Sequence, residues 1–183
     1  MDIDKLREGS IITCLGKVEH IKKLLIGKKN LLQVGFNGGH SADLLLSYSD
    51  PDSTLVSFDL GEHSYVNMCN SEIEKKFPGR HTLILGDSMK TLPEFTINNM
   101  AKYDFIFVDG GHTYEIASSD FDCALKLGKE GSTIVLDDVI FTKELEASYS
   151  KGPTDVWKLN LNLFKNTENH EYGWGYGMAW GVL

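Results

Sequence analysis

LLQVGFNGGHSADLLL, residues 31–46, is the segment of this chain that is most informative about its fold. It begins as a short apolar run, turns through the glycines of GFNGG and resumes with apolar residues at helical spacing. A strand, a tight turn and a helix in this order are typical of the first unit of an open α/β sheet. Ligands of such sheets bind at the turn, beyond the carboxyl end of the strand.

Short apolar runs recur along the chain, mostly bounded by Gly, Asp or Asn, as expected of strands buried on both faces. They occupy residues 30–36, 54–60, 81–86, 103–109 and 132–137. Segments with helical spacing separate them. The pattern predicts an α/β protein with a Rossmann-like doubly wound sheet, mostly parallel, with right-handed crossovers and helices on both faces.

The two ends of the chain carry weaker patterns. Residues 1–29 are expected to form one or two helices that extend the same domain. A further helix is predicted from residues 152–154 to near residue 165, and the glycine- and aromatic-rich tail is predicted to form a hairpin whose last strand, residues 178–183, joins the sheet antiparallel. The N-terminal lysines are interpreted as a solvated face: Lys17, Lys22, Lys23, Lys28 and Lys29.

Composition favours one soluble domain. The 183 residues are 42% hydrophobic, enough for a continuous core. A formal net charge of -8 argues against nucleic acid as a partner, because such proteins carry basic surfaces. Three cysteines without a CxxC spacing indicate neither disulfides nor zinc, and no apolar run predicts a signal peptide or membrane span. We therefore expect a cytoplasmic protein.

Acidic residues follow four of the predicted strands. Carboxyl ends of parallel strands meet at one edge of the sheet, and a buried charge is costly unless it is paired or bound to a ligand. Such a row therefore indicates a ligand or a metal ion at this edge. The residues are Asp59, Asp87, Asp109, Asp137 and Asp138.

The glycine spacing narrows the type of ligand. Gly35 and Gly39 are four residues apart with Gly38 between them, so the motif is GxxGG rather than the GxGxxG of dinucleotide-binding folds. A cofactor without a pyrophosphate needs only a tight turn and an uncrowded wall. Asp59, twenty residues beyond Gly39, is placed to accept both hydroxyls of a ribose.

Five segments resemble, in order and spacing, the motifs of class I S-adenosylmethionine-dependent methyltransferases: LLQVGFNGGHSADLLL, LVSFDLG, HTLILGDSMKTLP, YDFIFVDGGHTYE and GSTIVLDDV. The pairing of VDGGH with LDD is most similar to the metal-dependent O-methyltransferases, especially those that methylate sugar hydroxyls. The resemblance implies a methyltransferase domain over residues 30–183, with seven strands of which the last is antiparallel. It also implies a small-molecule or sugar acceptor.

The resemblance further implies S-adenosylmethionine as the cofactor. Asp59 would hold its ribose, Asp87 and Ser88 would lie by its adenine, and Asp109 would also contact it. Gln33 stands where the family usually has an acidic residue. The methionine part would be surrounded by residues of the glycine turn and the helix after it: Gly35, Phe36, Asn37, Gly39 and Ser41.

A metal site is predicted at Asp109, Asp137 and Asp138. Neighbouring strands lie about 4.8 Å apart, so carboxylates at their ends can share one cation. Three carboxylates suit Mg²⁺, with Mn²⁺ next. The resemblance places metal ligands at the same positions. The alternative is that Asp109 hydrogen-bonds the cofactor and the other two cap the following loop.

His112 is the predicted general base, with Asp109 beside it. It follows Asp109 by three residues, and a turn leaving the strand brings both into one cleft. An ordinary histidine pKa of about 6.5 suits proton removal near neutral pH. The sugar-modifying relatives carry a catalytic histidine at the matching position. The other five histidines are interpreted as structural.

Other functions stay open. They are a metal-independent methyltransferase acting on a phenol, protein or RNA, and a cofactor-binding scaffold without turnover. An aromatic tail, Tyr172, Trp174, Tyr176 and Trp180, is expected to shape the acceptor pocket together with residues 140–153. A homo-oligomer, in which another subunit covers the site, is also considered.

Overall fold

A computed structural model describes residues 10–142, 149–173 and 177–183. Its strands are β1 (Asn30–Val34), β2 (Thr54–Asp59), β3 (His81–Leu85), β4 (Tyr103–Val108), β5 (Gly128–Asp137), β6 (Asn166–Glu171) and β7 (Gly177–Val182). Its helices are α1 (Leu15–Leu24), α2 (His40–Tyr48), α3 (Val66–Lys76), α4 (Ser88–Asn99), α5 (Tyr114–Leu127) and α6 (Lys151–Asn160).

The strands form one seven-stranded sheet in the order β3-β2-β1-β4-β5-β7-β6. The first five strands are parallel, and β7 is antiparallel to both β5 and β6. The chain winds outward from β1 in one direction and, from β4, in the other. The crevice between the carboxyl ends of β1 and β4 is therefore the switch point where ligands of such sheets bind.

Strand register aligns the predicted site residues. Val34 pairs with Phe58 on one side and with Val108 on the other, and Val108 pairs with Leu136. Each of these residues is followed by a residue at the carboxyl edge of the sheet. One row therefore holds, in spatial order, Asp59, Gly35, Asp109 and Asp137.

Two apolar layers cover the sheet because neighbouring strand residues face opposite sides. Leu31 packs in the layer formed with α1, α2 and α3, where Ile21 is fully buried. Leu32 packs in the layer formed with α4, α5 and α6, where Phe121 and Trp157 are fully buried. The predicted doubly wound sheet with helices on both faces is confirmed.

The C-terminal half departs from the sequence prediction at one helix. The predicted hairpin is confirmed, with its last strand antiparallel in the sheet. The helix before it ends at Asn160 and continues as a 3₁₀ turn, Leu161–Leu163, so the predicted end near residue 165 was wrong. Among the described residues, no helix has the length and apolar character needed to cross a membrane.

Candidate active site

The turn after β1 is shaped by close contact between two strand ends. Gly35 has a φ of +92°, and a Cβ atom added there would lie 1.9 Å from the carbonyl oxygen of Asp109. Asp109 donates its backbone N–H to the carbonyl oxygen of Val34 at 2.9 Å. Glycine alone fits this backbone and this contact. The first glycine of the motif thus lets the ends of β1 and β4 meet.

Asp59 fixes the same turn from the end of β2. Its Oδ2 accepts the backbone N–H groups of Phe36 at 3.0 Å and Asn37 at 2.8 Å. Its Oδ1 accepts the N–H of Gly61 at 2.8 Å. Hydrogen bonds to a carboxylate are stronger than neutral ones, so they hold both the turn and the side chain. Binding of a ribose by Asp59 stays a prediction.

Two adjoining cavities open at this edge of the sheet. The β2-side cavity, about 310 Å³, is lined by Asp59, Asp87 and Ser88 among others. The β5-side cavity, about 520 Å³, is lined by residues that include Phe36, Ser41, His112, Asp137 and Asp138. Both cavities share four wall residues, Gly35, Asn37, Asp109 and Gly110. Gly39 lines neither, because its α-carbon faces Phe36 and Ile73 behind the turn.

His112 meets two of the acidic residues in the β5-side cavity. One ligand atom from each of Asp109, His112 and Asp138 lies within 4.8 Å of the other two. His112 Nε2 is 2.9 Å from Asp138 Oδ2, within hydrogen-bond distance. The structure therefore gathers Asp109 and Asp138 as predicted. It adds His112 to this group in place of Asp137.

Asp137 instead pairs with a lysine from α1. Lys17 Nζ lies 2.6 Å from Asp137 Oδ1 and 3.6 Å from Asp138 Oδ1, and only 4% of the lysine side chain is exposed. The prediction of a solvated lysine face was therefore wrong at this position. The helical spacing carried the signal, since Lys17 lies three residues after Cys14 and four before Ile21, on the buried face of α1.

Charge controls the protonation of this cluster. Loss of hydration and the nearby Asp137 and Asp138 carboxylates raise the pKa of Asp109 well above its ordinary value, against the effect of Lys17. Burial alone would lower the pKa of Lys17, but Asp137 and Asp138 outweigh it and raise that pKa. Like charges in a poorly hydrated site favour binding of a cation. Lys17 supplies one such cation from within the chain.

Asp138 also acts on His112. The hydrogen bond to Asp138 raises the pKa of His112 above 6.5, and partial burial opposes that rise. The ring of Tyr149 packs edge-on against the imidazole at 5.2 Å between centroids. Tyr149 also lines the β5-side cavity. The sequence suggested that residues 140–153 shape this pocket but did not single out this tyrosine.

A divalent cation fits part of the predicted ligand set. The carboxylates of Asp109 and Asp138 are hard oxygen donors that suit Mg²⁺ or Mn²⁺, and burial together with the neighbouring carboxylates raises the pKa of Asp109. Asp137 differs because its charge is matched by Lys17 at 2.6 Å. The fit therefore rests on two carboxylates, with His112 beside them.

The aromatic tail does not line either cavity within the described residues. The Tyr172 hydroxyl is 2.7 Å from His20 Nδ1, and the rings of His20 and Trp180 lie 5.2 Å apart. Tyr172 and Trp180 therefore hold the hairpin against α1, contrary to expectation. Trp174 and Tyr176 lie outside the described residues. Gln33 is fully buried in β1, and its amide has no hydrogen-bond partner in the described part of the chain.

Solved structures share this fold. An O-methyltransferase from Bacillus cereus in complex with SAH has a TM-score of 0.72 and 18% identity, covering 95% of this chain and 82% of that one. An O-methyltransferase from Streptomyces achromogenes involved in tomaymycin synthesis, in complex with SAM, has a TM-score of 0.70 and 18% identity. The match covers 91% of this chain and 77% of that one. Spermidine synthase from Thermotoga maritima has a TM-score of 0.60 and 13% identity, and the match covers 89% of this chain and 56% of that one. No curated protein matches the chain by sequence.

The fold and the row of strand-end residues define a Rossmann-like methyltransferase. The family model described as a methyltransferase domain matches residues 32–139, from β1 to just beyond the acidic pair after β5. The chain belongs to this methyltransferase family, which confirms the resemblance drawn from its motifs.

Proposed function

We propose that this protein transfers a methyl group from S-adenosylmethionine to a hydroxyl group of a small molecule, sugar or glycoconjugate. The observation that carries the proposal is the pair of adjoining cavities, which share Gly35 and Asp109 as walls. One cavity offers the carboxylate of Asp59, and the other offers the group formed by Asp109, His112 and Asp138. A cofactor and an acceptor would thus meet at the shared wall.

The cofactor would extend from one cavity into the other. Asp59 would accept the ribose hydroxyls, with Asp87 and Ser88 beside the adenine in the β2-side cavity. The methionine part would follow the glycine turn toward Ser41 in the β5-side cavity. Two O-methyltransferases of the same fold, in complex with SAH and with SAM, support a cofactor of this kind; at 18% identity they share the fold alone.

His112 would remove the proton from the acceptor hydroxyl. Because Nε2 is engaged with Asp138, Nδ1 is the nitrogen that would receive the proton, and Asp138 would stabilise the imidazolium that results. The oxygen would then attack the methyl carbon in line. A C–O bond forms as the C–S bond breaks, and the electron pair returns to sulfur, which leaves as a neutral thioether. Positioning of the two reactants supplies much of the acceleration.

Asp109 and Asp138 would hold a divalent cation, Mg²⁺ or Mn²⁺. When bound, such a cation supplies Lewis acidity that lowers the pKa of a hydroxyl. Its support is that a carboxylate oxygen of Asp109 and one of Asp138 lie within 4.8 Å of each other. The metal-independent alternative is supported by Lys17, which places a positive charge in the same cluster.

A methyl-transfer screen tests the proposal. The full chain is incubated with methyl-labelled S-adenosylmethionine and a panel of sugars, glycosides and phenols, with Mg²⁺ or with EDTA. We expect a labelled product whose mass has increased by one methyl substituent, and loss of that product with EDTA. Product formation in EDTA would refute the cation requirement alone. Cofactor binding by calorimetry without any product from the panel would favour the scaffold alternative.

A further inference from the structure

Lys17 lines the β5-side cavity but has no role in the proposed reaction. It lies on the buried face of α1, and this helix reaches the acidic cluster from the side opposite α5 and α6. Its ammonium touches Asp137 and approaches Asp138, which are 6% and 14% exposed. A positive charge thus lies within a cluster of three acidic side chains, Asp109, Asp137 and Asp138.

We propose that Lys17 is a positioning residue that competes with the divalent cation for the carboxylates after β5 and so sets the affinity of the site. This inference rests on the proposed function, because it concerns the same site and the cation suggested there. Lys17 would occupy the Asp137 side of the cluster. The metal would be confined to the side formed by Asp109 and Asp138.

The charge balance supports competition. Two positive charges about 4 Å apart repel strongly when water is excluded, because the effective dielectric constant is far below that of water. Lys17 Nζ is 3.6 Å from the carboxylate of Asp138, which belongs to the candidate metal group. A cation that binds Asp138 must therefore either approach this ammonium or displace it. In both cases the ammonium weakens cation binding.

A purely structural ion pair is the competing interpretation. Such a pair would anchor α1 to β5, but a buried ion pair commonly adds little stability compared with apolar side chains of similar size. An anchoring lysine also needs only one carboxylate, whereas Lys17 lies near two and lines the β5-side cavity together with them. The position of Lys17 in the cavity wall favours a role in binding the ligand of that cavity.

Cation binding also involves the wall of the cavity through α1. Ile11 and Cys14, just before this helix, line the β5-side cavity together with Lys17. Displacement of the Lys17 ammonium from Asp138 would therefore change the wall of that cavity. Lys17, which lies outside the acidic motifs, would therefore influence whether these carboxylates bind its ammonium or a metal ion.

Titration of Mn²⁺ into the full chain tests the inference without a methyl-transfer assay. Affinity is measured by calorimetry and by loss of the EPR signal of free Mn²⁺, for wild type, Lys17→Met and Lys17→Arg. Lys17→Met should bind Mn²⁺ roughly tenfold more tightly, because it removes the competing charge. Lys17→Arg should stay close to wild type. The matched control is Lys23→Met, on the exposed face of the same helix, which should change nothing.

Folding of the variants is controlled in a second background. Lys17→Met leaves Asp137 buried without its partner, which is destabilising. Mn²⁺ affinity is therefore also compared between Asp137→Asn and the double variant that adds Lys17→Met. Because residue 137 is then a neutral asparagine, loss of Lys17 leaves no unpaired carboxylate there. Mn²⁺ should again bind more tightly to the double variant than to Asp137→Asn alone. Thermal unfolding of each variant verifies that the compared chains are folded.

The outcomes separate this inference from the proposed cation. If wild type binds Mn²⁺ and neither Lys17→Met nor the double variant binds it more tightly, competition is refuted and the cation proposal stands. If only the variants lacking Lys17 bind Mn²⁺, competition stands and the wild-type cation proposal fails. If no variant binds Mn²⁺, both are refuted. Methyl transfer in EDTA is measured in a separate assay, so its result does not depend on which of these three Mn²⁺-binding outcomes is found.

Discussion

Two sides of the site are built in different ways. The glycine-turn side, formed by residues 35–39 and Asp59, is held by backbone amides that donate to one carboxylate. The acidic side is held by the ion pair of Lys17 with Asp137 and by the contact between His112 and Asp138. It is formed by Asp109, His112, Asp137, Asp138 and Lys17. The first uses neighbouring strands of the sheet. The second requires a helix from the opposite end of the described chain.

The two sides differ in how far their conformation is fixed before a ligand binds. Amide hydrogen bonds to Asp59 are made within the protein, so the glycine turn has its shape before a cofactor binds. The carboxylates of the acidic side repel one another, and a nearby positive charge favours their ionised forms. Lys17 supplies such a charge from the chain itself, and His112 lies within hydrogen-bond distance of Asp138. Substitutions should therefore affect the two sides differently.

The largest expected effect comes from Gly35→Ala, which joins the two sides. Its Cβ would lie 1.9 Å from the Asp109 carbonyl oxygen, so β1 and β4 must separate. We expect a loss of about 4 kcal/mol or more in the free energy of unfolding, measured in urea. Gly79→Ala is the control, with a φ of +73° and no atom within 4 Å of the added Cβ. It should cost only about 1–2 kcal/mol. Equal losses would show that the contact between strand ends is unimportant.

The next effect concerns the acidic side alone. His112→Ala should lower kcat by roughly 10²–10⁴ while S-adenosylhomocysteine affinity, measured by calorimetry, stays unchanged. The physical reason is loss of the group that takes the acceptor proton. The deficit should shrink as pH rises, because hydroxide can then replace the base. Equal rates for variant and wild type near pH 6–7 would assign the proton to another group.

A smaller effect is expected on the glycine-turn side. Asp59→Ala should weaken S-adenosylhomocysteine binding by about 1.5–3 kcal/mol, the usual value of hydrogen bonds to a charged group. Calorimetry measures this loss. Asp43→Ala removes an exposed carboxylate that pairs with Lys76 on the neighbouring helix, and should leave affinity unchanged. Undiminished binding by Asp59→Ala would remove Asp59 from the cofactor site.

The smallest effect is a shift in the titration of His112. Asp138 raises the pKa of His112, so the proton-accepting form accumulates only as pH rises above 6.5. Asp138→Asn should lower this pKa, which NMR titration of the imidazole measures. For the same reason, the stability contributed by this pair should be present below pH 6.5 and be lost as pH rises through the raised pKa. An unchanged His112 titration in the variant would contradict the pairing.

The order of residues was enough to predict the framework of the fold. Alternating strand and helix periodicities predicted the doubly wound sheet, and the GxxGG spacing predicted the turn at Gly35. Asp59, Asp109, Asp137 and Asp138 were placed correctly at one edge, because each ends a strand or follows one directly and parallel strands align their ends. These features depend on the spacing of residues along the chain and on regular backbone geometry, so they can be predicted from the sequence.

The balance of charge, by contrast, depends on how the chain packs in three dimensions. This packing paired Asp137 with Lys17 across 120 positions of the chain (137 minus 17), paired His112 with Asp138, and turned Tyr172 and Trp180 toward α1. The energy of a charge depends on which groups surround it in space and how far water is excluded. Helical spacing places Lys17 on the buried face of α1, but the carboxylate that meets it is fixed by the packing of α1 against the sheet.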